Sequence, residues 1–252
     1  MISLIHAELR KIFSVRSTYF IIFLAFVVNA LIAGFGKGYL SSNEVPSNVL
    51  VGSGILQDAI LIAVNITAIF GALIALLLIT HEYRYNTILY SLTSSRSRTQ
   101  FLAAKVLAVI LLSLTLTTAL ACAAPLFTWI GVHISGHSLP AQSIAYGNIY
   151  WRVLFYGWGN AIIGLLFGAL IRNQIGAIMT FFLIPSTVEG LLSLILKDNS
   201  AYLPFTLLSN VLIQGDGLGK SISYGHAAAL FSLYMVGGWL VAWLLFLRRD
   251  AN

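Results

Sequence analysis

Three short stretches have the residue types of known chemistry. His81-Glu82 begins H-E-x-x-H, in which two histidines four apart on a helix hold zinc and the glutamate acts as base. The fourth position here is Tyr85, and the remaining histidines are His6, His133, His137 and His226. The zinc site therefore lacks its second ligand. "QGDGLGKS" approaches G-x-x-x-x-G-K-[ST], whose backbone N–H groups wrap phosphates. The pattern needs glycine at 214, but that residue is Gln214, and Gly215 falls one place late. Ser53 lies in a Gly-Ser-Gly where an intramembrane serine nucleophile would need a histidine within reach. None is expected at the centre of a span. Asp58 and Glu189 are the carboxylates nearest to apolar runs. A carboxylate inside a membrane is by default a cavity or proton-path group, but both are expected near span ends, where they reach water. Asn65, Pro185 and Glu189 are the residues expected to line or gate a pathway.

The elements that must position these groups follow from composition. Of 252 residues, 59% are hydrophobic and 9% charged, against a net charge of +6. Soluble domains carry about 25% charged residues, so this chain reads as a membrane protein. The positive charge reads as basic loops facing an anionic leaflet rather than as a nucleic-acid surface. A lone cysteine, Cys122, offers neither an intramolecular disulfide nor a metal framework. It reads as a small core or lipid-facing residue. The first residues do not have the pattern of a cleavable signal peptide.

Six segments are long enough to cross about 30 Å of hydrocarbon: Thr18–Phe35, Ile55–Thr80, Leu102–Ile130, Arg152–Ile171, Ile175–Ile195 and His226–Leu247. Unsatisfied backbone groups are too costly in lipid for anything but helices here. With the N-terminus in the cytoplasm, ten Lys and Arg fall inside and four outside. The positive-inside rule thus places both termini in the cytoplasm.

Ahead of the first span, Ile2, Ile5, Leu9, Ile12 and Phe13 share an arc of about 100° at helical spacing. Glu8, Arg10 and Lys11 lie off that arc, and Arg16 closes the segment. Residues 1–17 therefore read as an interfacial amphipathic helix with basic groups towards headgroups or a partner. Asn29, Asn65, Thr67 and Asn160 are expected to bond between helices. Gly164 and Gly168 form a G-x-x-x-G for close helix approach, and Pro185 is expected to kink span five. Residues 197–225 form a semi-apolar outer segment expected to re-enter the membrane as short helices. The chain reads as one all-α transmembrane domain over residues 1–252, with an N-terminal interfacial helix and six spans.

Several stretches, taken in order, resemble a type-2 ABC export permease. "HAELRKIFSVRSTYF" resembles that family's interfacial start. "HEYRYNTILYSLTSSRSRTQFLAAKVLA" resembles its first cytoplasmic loop, with Glu82, the Asn86-Thr87 turn, Ile88–Leu92, Ser94–Arg98 and Lys105 in sequence. Asn86 stands where the family often has glycine, and asparagine tolerates the left-handed turn. "LLFGALIRNQIGAIMTFFLIPSTVEGLL" is similar to the tight turn between spans four and five, centred on Arg172-Asn173. "YLPFTLLSNVL" is similar to the outer segment before span six.

The resemblance implies a non-catalytic transmembrane half-subunit of an exporter. It would pair with a second permease subunit, as homodimer or heterodimer, in the multi-pass cell membrane of a prokaryote. A separate ATP-binding cassette subunit would bind ATP and Mg; no cofactor is expected in this chain. The coupling loop at 81–101 would place Ile88, Leu89, Tyr90 and Leu92 in an ATPase groove, with Glu82, Arg84, Arg96 and Arg98 around it. Membrane lipid is a further expected partner, and nucleic acid is not. The apolar, aromatic spans suit an amphipathic drug, peptide or lipid-like substrate. A six-span scaffold, or a carrier or channel working without an ATPase, is the alternative.

Overall fold

A computed structural model describes residues 2–44, 52–88, 97–139, 146–213 and 222–248. Among the described residues the secondary structure is helical, with no strand. Six helices are long and apolar enough to cross a membrane: Arg16–Leu40, Gly54–Arg84, Thr99–Ile134, Gly147–Ile171, Gln174–Tyr202 and Tyr224–Phe246, spans one to six below. The N-terminal helix, Ile2–Ser14, is separated from span one by Val15, whose backbone is extended. The end of the bundle that carries this helix is called the near end.

Spans two and four form the most buried part of the bundle. Their closeness comes from glycine. A Cβ on Gly164 would strike the Ala72 backbone, and one on Gly168 would press the Leu76 carbonyl. The G-x-x-x-G of span four thus has span two as its partner. Spans one and three make a second backbone-to-backbone crossing, where Gly131 meets Gly34 and Gly38. Span one is π-helical from Ala30 to Leu40 alongside it.

Polar groups inside the spans divide. Asn29 donates to the Leu120 carbonyl at 3.4 Å, and Tyr156 donates to Asn65 Oδ1 at 2.8 Å, so these two asparagines do link helices. Thr67 and Asn160 do not. Each side chain donates to the carbonyl four residues back, Ala63 and Tyr156 respectively, which satisfies it locally. Thr128, which its sequence context did not single out, bridges to Ala33 at 3.1 Å.

Span five is not one regular helix. The α-helix ends at Leu183, Ile184–Val188 is a π turn containing Pro185, and an α-helix resumes at Glu189. Proline has no N–H to give, and the ladder recovers by widening: the Glu189 N–H reaches the Ile184 carbonyl, five residues back. Span five ends in a 3₁₀ stretch, Lys197–Tyr202, and between spans five and six Pro204–Leu212 is α-helical, with Leu207, Leu208, Val211 and Leu212 buried. The Pro204–Leu212 helix packs against the bundle.

Candidate coupling and gating sites

Four ionised groups meet at the near end. Lys105, nearly two turns into span three, has a fully buried side chain. Its ammonium lies 2.7 Å from Glu8 Oε2 and 3.0 Å from Glu82 Oε1. Lys11 joins the same two carboxylates, at 2.7 Å from Glu8 and 2.8 Å from Glu82. Lys105 also sits 4.8 Å from the centre of the Phe101 ring and donates to the Leu78 carbonyl at 3.4 Å. Two cations and two anions cancel, so the cluster is neutral while each member is charged. Breaking such a buried pair by removing one partner typically costs about 3–5 kcal/mol.

Outside the spans, the field of this cluster is visible in protonation. Burial alone would push the Glu8 carboxyl up. Lys105 and then Lys11 outweigh burial and hold it below its ordinary 4.5. Burial would lower Lys11, and the two carboxylates hold it above its ordinary 10.5.

This geometry corrects two expectations. Glu8 does not face headgroups or a partner, being 5% exposed and turned into the bundle, and Lys11, its side chain 41% exposed, bonds to it there rather than standing free. Arg10 and Arg16 are exposed. Glu82 is not at the rim of a docking surface, because its side chain is buried between Lys11 and Lys105. Arg84 is exposed and donates to the Gln174 amide oxygen at 3.0 Å, reaching across to the start of span five.

The loop after span two begins with a left-handed turn at Asn86, φ 52°, as its sequence anticipates. Ile88 then turns inward. It is buried in a small apolar cluster with Phe101, Leu102 and Phe246, with Tyr83 packed against it. Ile88 is therefore an attachment of the loop to its own bundle and not a free docking residue. Leu89, Tyr90, Leu92 and Arg96 lie outside the described residues, as does the side chain of Arg98. Arg172 has φ 57° between spans four and five and sits 5.1 Å from the Tyr83 ring centre and 6.0 Å from that of Phe246. Asn173 caps span five by accepting from the Gly176 N–H at 2.9 Å. The tight turn thus clamps the bases of spans two, four, five and six.

At the far end, Glu189 contradicts its expected exposure to water, while Asp58 is exposed. Glu189 is buried and caps the Pro204–Leu212 helix. Its Oε1 accepts from the Phe205 N–H at 2.8 Å, and its Oε2 accepts from the Thr206 N–H and hydroxyl at 3.0 Å each. At the other end of that helix, Arg152 Nε donates to the Val211 carbonyl at 3.0 Å and Nη2 to the Leu212 carbonyl. The guanidinium also lies 3.8 Å from the Tyr224 ring centre. An anion at the N-terminus and a cation at the C-terminus both complement the helix dipole. Asn65, Pro185 and Glu189 do come together: they line one cavity of about 310 Å³ with Tyr156, Asn160 and Phe181.

Sequence reasoning missed Lys105 and Arg152 as site residues. The available signal was that a cation within an apolar span must find a partner. At the near end, Glu82 is the acidic residue that closes the neighbouring span.

The ABC-2 family transporter protein profile matches residues 4–186, which takes in the N-terminal helix, the first four spans and span five as far as its π turn. Among curated proteins none matches the chain significantly. The chain belongs to the ABC-2 transporter family, as a multi-pass membrane protein of the permease type, typically a non-catalytic transmembrane component.

Proposed function

We propose that the chain is the permease subunit of an ATP-driven exporter, pairing with a second subunit to form the pathway. A separate ATP-binding cassette protein binds ATP and Mg and drives it. The observation that carries this reading, beside family membership, is the neutral cluster of Glu8, Lys11, Glu82 and Lys105. It ties the N-terminal helix to the two spans that flank the loop, so a push on the loop moves all three as one body. Rigid-body displacement of packed helices is an established way to transmit such a push. Glu82 acts here as a positioning residue inside the joint, and the contact face falls to Leu89, Tyr90, Leu92, Arg96 and Arg98.

At the far end, the cavity with Asn65, Pro185 and Glu189 is the proposed gate region, and the Pro204–Leu212 helix is its re-entrant cover. The cavity wall is mostly apolar with a few hydrogen-bonding groups, which suits an amphipathic drug, peptide or lipid-like substrate. In this reading the protein sits in the cell membrane of a prokaryote, and the excess of Lys and Arg at the near end supports both termini being cytoplasmic.

The test is affinity purification of the tagged chain from its native membrane. A cassette ATPase should co-purify, and its ATP hydrolysis should respond to the permease. Lys105→Met should weaken that response while some ATPase still binds through the loop. Recovery of the chain with no cassette ATPase, across several mild detergents, overturns the reading.

A further inference from the structure

A cleft of about 730 Å³ opens at the near end between the N-terminal helix, the start of span one and the last turns of span two. That volume falls within the range of ligand cavities, roughly 300–1,000 Å³. Its inner wall is apolar, with Ile12, Ile74 and Leu77, and its mouth carries Ser17, Arg84 and Thr87. Ile74 and Arg84 are ten residues apart on one helix. That is about 15 Å, half of the roughly 30 Å hydrocarbon thickness, or one leaflet.

The charges at the mouth are unequal. Lys11 is matched by the carboxylates of Glu8 and Glu82 within the neutral cluster. Arg84 has only the neutral amide of Gln174 as its hydrogen-bond acceptor, and no carboxylate within ion-pair distance among the described residues. Exposed Arg10 and Arg16 at the same end add to the positive field. The occupant must therefore cover a leaflet-deep apolar wall and bring one anion to Arg84. A free inorganic anion leaves the wall bare. An apolar helix of a second copy buries Arg84 without compensation, which is costly. An anionic phospholipid meets both demands, and a guanidinium binds phosphate in two-pronged fashion.

We propose that this cleft holds one anionic phospholipid, with its phosphate on Arg84 and an acyl chain along Ile12, Ile74 and Leu77. The proposal needs no ATPase, so its failure leaves the exporter reading standing and the reverse also holds.

Native mass spectrometry of the purified chain in neutral detergent tests it, with phosphatidylglycerol or phosphatidylcholine titrated in. The chain should carry one phosphatidylglycerol, bound about tenfold tighter than phosphatidylcholine, whose phosphate is already neutralised by its own choline cation and so gives Arg84 less. Arg84→Gln should remove that preference. Leu77→Trp fills the apolar wall and keeps the charge, and should weaken both lipids. Arg10→Gln, with the same charge lost outside the cleft, should keep the preference. Equal binding of the two lipids overturns the proposal, as does an Arg84→Gln variant that binds like the parent. It also falls if Arg10→Gln costs as much as Arg84→Gln, if inorganic phosphate displaces the lipid stoichiometrically, or if a dimer carries no lipid while the monomer does.

Discussion

The near-end cluster and the far-end clasp use buried charge in opposite ways. Around Lys105, side chains neutralise one another, and all four partners come from rigid helices. Around the Pro204–Leu212 helix, Glu189 and Arg152 never meet. Each is spent on backbone groups at one end of the same short helix. The first arrangement ties the N-terminal helix to two long spans. The second holds a short element by its two ends. The difference teaches that the same chain sets ionisable groups against one another at one end and against the termini of a helix at the other.

Lys105→Met should break this contrast most. It leaves Glu8 and Glu82 buried around a single Lys11, and should cost about 3–5 kcal/mol of stability. Thermal or denaturant unfolding in detergent would measure it. Adding Glu8→Gln to Lys105→Met should recover part of that loss, and strict additivity of the two changes would show that the groups are not coupled.

Arg152→Gln should act more locally. Charged hydrogen bonds are worth about 1.5–3 kcal/mol each in such settings. The expected outcome is faster hydrogen exchange over Pro204–Leu212, with the amides of spans two and four unchanged. A loss spread over the whole bundle would make the clasp a structural core rather than a cover. Glu189→Gln keeps an acceptor but removes the charge at the helix start, and should cost about 1 kcal/mol, read by the same exchange experiment.

The smallest effect is that of pH on the near-end cluster. Glu8 is held below 4.5, so its stabilisation is present above that pH and is lost as pH falls through its lowered value. Lys11 is held above 10.5, so its stabilisation is present below that pH and is lost as pH rises through its raised value. The cluster's contribution to the unfolding temperature should be flat between these limits and fall at both edges. Lys105→Met should remove much of the acid edge.

The six spans were legible because twenty or so apolar residues in a row admit few other structures in lipid. Their ends were less so: span two runs to Arg84 instead of Thr80, and span three to Ile134 instead of Ile130. Polar residues do not end a helix that is already hydrogen-bonded internally. Asn86 and the Arg172-Asn173 turn were legible because their backbone geometry is local. The cluster was not. Glu8, Glu82 and Lys105 are separated by 74 and 23 residues, and no local pattern says which distant charge answers which. Glu189 was misread for the same reason: its partners are the amides of Phe205 and Thr206, and an amide is the same in every residue.

The turn at Arg172 has a kinematic consequence. Spans four and five share a pivot with no slack, because Arg172 and Asn173 alone separate Ile171 from Gln174. Span four is in turn keyed to span two through Gly164 and Gly168. A tilt entering at the base of span two is therefore handed through three spans like a stroke through linked oars. The first place where span five can bend on its own is the wide turn at Pro185.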